Sequence, residues 1–293
     1  MTDSQPITIF GEVLFDCFPD GAKVLGGAPF NVAWNLRALG ERPRFISRLG
    51  EDAQGSNVRK AMGEWEMDTD AVQTDPDHGT GIVSVTLEAG EPAYDIVSDR
   101  AYDHIDAAAL PSSPPGLLYH GTLALRQADS RQALQALRAR TDRVFVDVNL
   151  RAPWWQRDTV LALLEGARWV KLNADELREL GQGGANDDAA QRFRERYQLE
   201  LLIVTHGAKG ATAYRPTQSP LSVTPAALTA SVDPVGAGDA FASVILLGLT
   251  RDWPLTTILE RAQAFAAAVV GLRGATVGDR NFYNRFAQAW RTA

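Results

Sequence analysis

The chain has 293 residues, 45% of them hydrophobic, which is enough for one large α/β domain. Its 29 basic and 36 acidic residues give a net charge of −7, and no basic run is present, so nucleic acid is a poor candidate partner. Cys17 is the single cysteine, which excludes an intrachain disulfide. No leader-like or membrane-spanning apolar segment is apparent, so we expect a cytoplasmic protein that does not bind membranes.

Short apolar runs rich in β-branched residues alternate with helical patterns along most of the chain. The predicted strands are 7–10, 44–47, 117–119, 144–148, 169–171 and 201–205. The predicted helices are 29–39, 54–64, 130–140, 157–165, 174–180, 187–197, 238–249, 255–271 and 281–290. This alternation predicts an α/β fold, with a central, mainly parallel sheet covered by helices on both faces.

Two segments interrupt the alternation, at about 12–25 and 79–104. The first has turn residues at 19–21, and the second contains two strands, 79–88 and 92–97, joined by a turn at 89–91. Because no helix separates these strands, they predict a small β lid or contact surface. We therefore expect one domain over residues 1–293 with these two lid segments.

The sequence DPVGAGDAF, at 233–241, precedes an apolar helical run. Gly236, Ala237 and Gly238 let the backbone approach a ligand closely where the helix begins, and a helix N-terminus suits a phosphate. Asp239 then lies in the first turn, where a carboxylate can accept the proton of a hydroxyl that attacks a phosphoryl group. The alternative is that Asp239 caps its helix and the glycines form a tight turn.

The sequence GGAPFNVAWNLRALG, at 26–40, combines a glycine pair with a helix that has apolar positions spaced to face a core. Gly27 permits close backbone approach, and the amide of Asn31 suits hydrogen bonds to sugar hydroxyls. The alternative is a glycine loop before an ordinary core helix.

Together these two stretches resemble the two signatures of the ribokinase-like (PfkB) carbohydrate kinase family. The matching positions are Gly27, Asn31, Ala33, Leu39 and Gly40 in the first stretch, and Asp233, Gly236, Ala237, Gly238, Asp239 and Phe241 in the second. The resemblance implies a ribokinase-like fold and transfer of a phosphoryl group from ATP to a small sugar in the presence of Mg²⁺. It also implies that Asp239 is the catalytic base.

Three shorter matches extend the resemblance to the ligand sites. Asp16, in GEVLFD, is similar to the family's aspartate that holds two sugar hydroxyls, although it could simply begin a turn. Asn173 and Glu176, in NADE, are similar to the N-x-x-E element associated with phosphate and with magnesium through water. A helix N-cap with a capping-box glutamate is the alternative and is compatible with that role.

The third short match lies on the nucleotide side. Residues 205–210, THGAKG, are similar to the family's T-x-G-x-x-G loop, which is also a common turn. Its candidate nucleotide-binding residues are Thr205, Gly207 and Gly210.

Residues 147–151, DVNLR, follow a predicted buried strand and resemble the D-x-N-x-R element of bacterial fructokinases and 2-keto-3-deoxygluconate kinases. The resemblance makes Asn149 a substrate-binding candidate. The planar guanidinium of Arg151 is suited to the transferred phosphate, and an ion pair with a nearby acid is the alternative.

The second signature departs from its family where Pro234 and Val235 follow Asp233. In relatives this loop helps to bind a monovalent cation, so Asp233 is a candidate potassium ligand, and the departure weakens the expectation of K⁺ activation. The exposed face of the lid leaves a homodimer open.

The interpretation that accounts for most of these features is an ATP-dependent kinase of a free ketohexose, with D-fructose first. Lys23 and Arg100 are the only Lys or Arg residues in the two lid segments, which argues against a phosphorylated sugar. The alternatives are a 2-keto-3-deoxygluconate or other PfkB-type sugar or nucleoside kinase, and a catalytically silent sugar-binding protein. A dinucleotide oxidoreductase is disfavoured because no G-x-G-x-x-G follows the first strand.

Overall fold

The computed structural model describes residues 6–88, 91–181, 183–225, 236–270 and 276–291. Its strands are β1 Ile7–Phe10, β2 Leu14–Cys17, β3 Lys23–Gly26, β4 Arg44–Gly50, β5 Val72–Asp75, β6 Gly81–Glu88, β7 Glu91–Ile96, β8 Leu117–His120, β9 Val144–Asp147, β10 Trp169–Asn173, β11 Leu201–Thr205, β12 Ala211–Tyr214 and β13 Leu221–Val223. Its helices are α1 Ala28–Ala38, α2 Ala53–Glu64, α3 Ala128–Arg138, α4 Arg157–Leu164, α5 Ala174–Gly181, α6 Asp187–Arg196, α7 Ala237–Thr250, α8 Leu255–Val270 and α9 Arg280–Arg291.

The large sheet has nine strands in the order β13-β12-β11-β10-β9-β8-β1-β4-β5. From β11 to β5 every neighbouring pair is parallel, whereas β12 and β13 are antiparallel additions at one edge. The chain runs outward from β1 to β4 and β5, then returns to β8 and continues in the opposite direction. The strand order therefore reverses between β1 and β8, and such a switch point opens a crevice at the carboxyl ends of the strands.

Side-chain alternation along the strands divides the core between the two faces of this sheet. On β9, Phe145 packs in the cluster that contains α1, α2, α7, α8 and α9. Its neighbours Val144 and Val146 pack in the cluster of α4, α5 and α6, and α3 covers β1 and β8 on that same side. Helices thus cover both faces, which confirms the predicted α/β architecture.

The small sheet has four strands in the order β3-β2-β6-β7, with β2 and β6 parallel and the other pairs antiparallel. These strands occupy the segments predicted as a lid. The end of the second segment forms a 3₁₀ turn, Ala101–His104, that lies against the large sheet, since Arg48 of β4 donates a hydrogen bond to the His104 carbonyl.

In the large sheet, three short strands, β5, β12 and β13, were not among the predicted ones. β5 (VQTD) and β13 (LSV) are the two edge strands of the large sheet, and their mixed polarity lacks the apolar run of a central strand. β12 is antiparallel to β11 because the chain reverses within the turn between them, where the His206 amide donates to the Gly210 carbonyl at 2.8 Å. Within the described residues, no helix is long and apolar enough to cross a membrane.

Candidate active site

Several predicted site residues, together with Glu12, follow strands that end at the carboxyl edge of the large sheet. Glu12 follows β1, Asn149 and Arg151 follow β9, Asn173 ends β10, and Thr205 ends β11. Because these strands are parallel neighbours, their ends line one edge on both sides of the switch point. The first turn of α7, with Asp239, reaches the same edge.

Asp239 is bound to Asn31, which joins the two signature stretches. Gly236 caps α7 in a left-handed conformation, φ 81°, that a glycine adopts without strain. Asn31 Nδ2 donates a hydrogen bond of 2.7 Å to Asp239 Oδ2, whereas Oδ1 has no hydrogen bond to any described residue. One carboxylate oxygen is therefore held in position, and the other is available to accept a proton.

The groups around Asp239 shift its pKa in opposite directions. Protein atoms crowd its carboxylate, and this desolvation raises its pKa to about 6. The hydrogen bond from Asn31 lowers the pKa, the charge of Asp147 raises it, and the cations Lys171 and Arg151 lower it. The side chain is thus mostly ionised at neutral pH. Its pKa nevertheless lies closer to neutral pH than that of an exposed aspartate, as suits a general base.

Close backbone packing at the start of α1 requires a glycine at position 27. Its φ is 108°, and a Cβ there would lie 2.8 Å from the carbonyl oxygen of Glu12. Its own carbonyl accepts the Asn31 amide at 2.8 Å. The glycine therefore lets the loop after β1 approach the helix that carries Asn31.

Glu12 belongs to the site, although the sequence interpretation did not assign it a role. It is buried, and its Oε2 has no hydrogen-bond partner among the described residues. Desolvation raises its pKa to about 7, with a further increase from the charge of Asp239 and an opposing decrease from Arg151. A lone glutamate between the apolar runs of β1 and β2 was the signal that could have identified it.

A buried ion pair lies beneath the first turn of α7. Lys171 Nζ is 2.6 Å from Asp147 Oδ1, and the Tyr119 hydroxyl donates to Asp147 Oδ2 at 3.0 Å. Burial alone would lower the pKa of Lys171, but the carboxylate of Asp147, together with those of Glu176 and Asp239, raises that pKa overall. A Cβ on Gly238 would lie 3.7 Å from Nζ, so this cation reaches the glycine loop. Lys171 was not included in the predicted site and was assigned only to the strand 169–171.

Arg151 and Asn149 project from the loop after β9. Arg151 is exposed, its Nη1 donates to the Leu150 carbonyl at 3.2 Å, and it forms no ion pair with any described acid. The alternative role for Arg151, an ion pair with a nearby acid, is therefore not observed among the described residues. The backbone of Asn149 is fixed because its carbonyl accepts the Thr122 hydroxyl at 3.0 Å.

Asp16 lies on β2 in the small sheet. It is half-buried, has no hydrogen bond to the described residues, and burial raises its pKa. Strand alternation puts it on the face of Leu14, which packs with Leu123 and Ala124 just beyond β8. The small sheet thus turns this free carboxylate toward the end of β8, next to the switch point.

Asn173 and Glu176 form the capping arrangement at the start of α5. Asn173 Oδ1 accepts the amides of Asp175 and Glu176, both at 2.9 Å. Glu176 Oε2 accepts the Asn173 amide at 2.8 Å, and Oε1 accepts the Leu150 amide at 3.0 Å. The glutamate therefore ties the loop after β9 to the end of β10, and any magnesium role would have to coexist with this one.

The predicted nucleotide loop is a tight turn between β11 and β12. Gly207 and Gly210 have φ of 58° and 96°, and a Cβ on Gly210 would lie only 1.9 Å from the Val223 carbonyl oxygen. Thr205 Oγ1 donates to the Leu172 carbonyl at 3.5 Å. The candidate potassium ligand Asp233 lies outside the described residues.

Comparison with known families agrees with this geometry. A family profile described as pfkB family carbohydrate kinase matches residues 18–280. The chain belongs to the pfkB family of carbohydrate kinases. The match spans both glycine stretches, so the family predicted from those two signatures is confirmed.

Individual relatives cover nearly the whole kinase. A fructokinase of Klebsiella pneumoniae is 32% identical over 83% of this chain and 84% of its own length. A fructokinase of Salmonella typhimurium is 29% identical over 96% of this chain and 99% of its own. A crystal structure of a Vibrio cholerae fructokinase double mutant, in a form with fructose, ADP and potassium ion bound, superposes with a TM-score of 0.84 and 27% identity. It covers 96% of this chain and 98% of its own.

Proposed function

We propose that this carbohydrate kinase transfers the γ-phosphoryl group of ATP to a primary hydroxyl of free D-fructose. The observation that carries the proposal is the Asp239 carboxylate, which Asn31 holds by one oxygen beside the N-terminus of α7 while the other oxygen has no partner among the described residues. The similarity to fructokinases over most of the chain supports fructose as the acceptor.

In this proposal Asp239 accepts the proton of the sugar hydroxyl as that oxygen attacks. Asn31 keeps the carboxylate oriented, and its charge state is set by desolvation against the nearby cations Lys171 and Arg151. The amides of residues 237–239, at the N-terminus of α7, stabilise the negative charge of the transferring group. Arg151 is exposed and free of described ion pairs, so its guanidinium is available to the same oxygens.

Asp16 would bind adjacent sugar hydroxyls because its half-buried carboxylate has no described partner. Gly27, Asn31 and Asn149 complete the polar lining. Lys23 lies on an exposed strand of the small sheet, and Arg100 Nη1 lies beside Gly79 at the base of that sheet. These positions support an acceptor without a phosphate of its own.

The residues at the ends of β10 and β11 fit a metal-bound nucleotide. Thr205, Gly207 and Gly210 lie in a tight turn. A Cβ on Gly207 would meet no described atom within 4 Å, so a ligand can approach its backbone, whereas Gly210 packs against the Val223 carbonyl. The oxygens of Asn173 and Glu176 would hold waters around magnesium. Bound Mg²⁺ and ATP supply the phosphoryl group and neutralise much of its charge. Potassium near Asp233 stays a prediction.

We further propose a cytoplasmic enzyme that forms a homodimer through the small sheet. Val24 and Tyr94 on that sheet are the exposed large apolar side chains of the described residues, at 39% and 56% exposure. Sedimentation equilibrium measures the oligomeric state directly.

Catalytic efficiency across sugars tests the proposed acceptor. We expect fructose to exceed 2-keto-3-deoxygluconate, fructose 6-phosphate and a nucleoside, with ADP release as the readout. The Asp239→Asn protein, purified in parallel, is the control for contaminating kinases. A competitor that exceeds fructose by ~10-fold, about 1.4 kcal/mol of discrimination, would replace fructose as the substrate and leave the kinase class intact.

A further inference from the structure

Two histidines and an aspartate meet at the base of the small sheet, away from the residues assigned above. His78 precedes β6, Asp99 follows β7, and His104 ends the 3₁₀ turn. The two imidazole rings stack with centroids 3.9 Å apart. One ligand atom from each of the three residues lies within 4.8 Å of the others.

Each imidazole is oriented by a second carboxylate. His78 Nδ1 lies 3.1 Å from Asp75 Oδ2, and His104 Nδ1 lies 2.8 Å from Asp129 Oδ2. An imidazole that donates through Nδ1 presents a lone pair at Nε2 when it is neutral. Both Nε2 atoms face Asp99 Oδ1, at 3.7 Å for His78 and 2.9 Å for His104.

When both rings are neutral, the two Nε2 atoms and Asp99 Oδ1 offer lone pairs toward the same region. A proton on His104 can bridge its ring to Asp99, and a metal ion there would replace that proton and also bind His78. The arrangement of a carboxylate behind each imidazole is the one that metal-binding histidines use to fix their tautomer and orientation.

We propose that His78, Asp99 and His104 bind a divalent transition metal of the zinc type. Two imidazole nitrogens and one carboxylate oxygen are the ligand set that such ions accept, with water at the remaining position. A tetrahedral ion about 2.0–2.1 Å from each ligand needs ligand atoms about 3.3 Å apart. Because the two rings are stacked only 16° from parallel, binding requires them to rotate toward the ion; the side chains of Asp99, His78 and His104 are 67%, 28% and 18% exposed.

The position in the fold gives the site a structural consequence. His78 lies where the chain enters β6, and Asp99 lies where it leaves β7, so a shared ion would clamp both ends of this hairpin. The second coordination partners anchor the clamp to the large sheet through Asp75 at the end of β5, and to α3 through Asp129. Binding should therefore stabilise the native fold without touching the glycine loop of α7.

Zinc titration of chelator-stripped full-length protein tests the site, with a chromophoric chelator as competitor. We expect one Zn²⁺ per chain at this site and a higher melting temperature with zinc than without it. His104→Gln and Asp99→Asn should each weaken binding at least ~10-fold and abolish the thermal shift, and Asp129→Asn should weaken it by about 10-fold.

Asp95→Asn is the matched control, because it removes an exposed acid from β7 outside the cluster. Glu176→Gln tests whether zinc binds at the magnesium-type site instead. Should His104→Gln destabilise the apo protein, the exposed Asp99 still provides a test. Wild-type protein that binds no zinc, or His104→Gln and Asp99→Asn proteins that bind it as tightly as wild type, would overturn the proposal.

Discussion

Asp239 and Glu176 lie at the same edge of the large sheet, yet their surroundings differ. Both Glu176 oxygens accept backbone amides, from Asn173 and Leu150. Asp239 has one oxygen bound to Asn31 and the other without a described partner. Burial raises the pKa of both carboxyls, but in Asp239 no backbone amide opposes it.

This difference distinguishes a structural carboxylate, Glu176, from a catalytic one, Asp239. A carboxylate that accepts two amides fixes two loops and has little remaining capacity for a substrate proton. In Asp239, one oxygen accepts no hydrogen bond from the described residues and can accept the proton of a substrate hydroxyl. Substitutions at the two positions should therefore have opposite profiles, with activity sensitive at Asp239 and stability sensitive at Glu176.

The largest effect is expected at Asp239. Asp239→Asn keeps the size of the side chain and removes the proton acceptor, so turnover should fall by ~10²-fold or more. Nucleotide affinity should change little, which isothermal titration with ADP can measure. Asp175→Asn is the control, because it removes an exposed acid from α5. Near wild-type turnover in Asp239→Asn would exclude Asp239 as the base and leave it only a structural role through its bond to Asn31.

The buried pair Asp147–Lys171 should dominate stability beneath the same loop. Lys171→Met leaves the Asp147 charge buried with only the Tyr119 hydroxyl, and loss of one partner in such a pair lowers the free energy of unfolding by about 3–5 kcal/mol. Urea denaturation measures this change. The double variant Lys171→Met with Asp147→Asn should recover part of the loss, and additive losses would show that the two groups do not interact.

A smaller effect is expected at Glu176. In Glu176→Gln one amide N–H loses its acceptor, so the free energy of unfolding should fall by about 1–3 kcal/mol. Turnover should fall by less than ~10-fold, below the effect of a lost general base. If Glu176→Gln had turnover as low as that of Asp239→Asn but normal stability, Glu176 would have a catalytic role and not a structural one.

The sequence predicted the parts of the site that follow from local pattern. Apolar runs marked the central strands, and their ends correctly located Asn149, Asn173 and Thr205 at one edge. Glycines marked the start of α7 because the left-handed Gly236 requires a small residue. Both signature stretches were predicted. The hydrogen bond between Asn31 and Asp239 that connects them was not, because it spans 208 positions and no local sequence pattern indicates it.

The sequence interpretation failed where function depends on long-range pairing. Lys171 has the pattern of a strand residue, and its role appears only when β9 brings Asp147 beside it. Glu12 acquires its raised pKa from burial among groups distant in sequence. His78 and His104 are far apart in sequence and no local spacing marks them as a pair, since it is the fold that stacks their rings.

The pH dependence of kcat/KM for the sugar tests the role of Asp239 most directly. Desolvation raises its pKa from 3.8 to about 6, and only the ionised form accepts a proton, so activity should be full above that value and lost as pH falls through it. The measurement uses saturating MgATP, because nucleotide phosphates titrate in the same range. We predict that kcat/KM decreases below pH about 6, approaching tenfold per unit. A profile that stays flat to pH 5 would contradict the assignment of Asp239 as a desolvated general base.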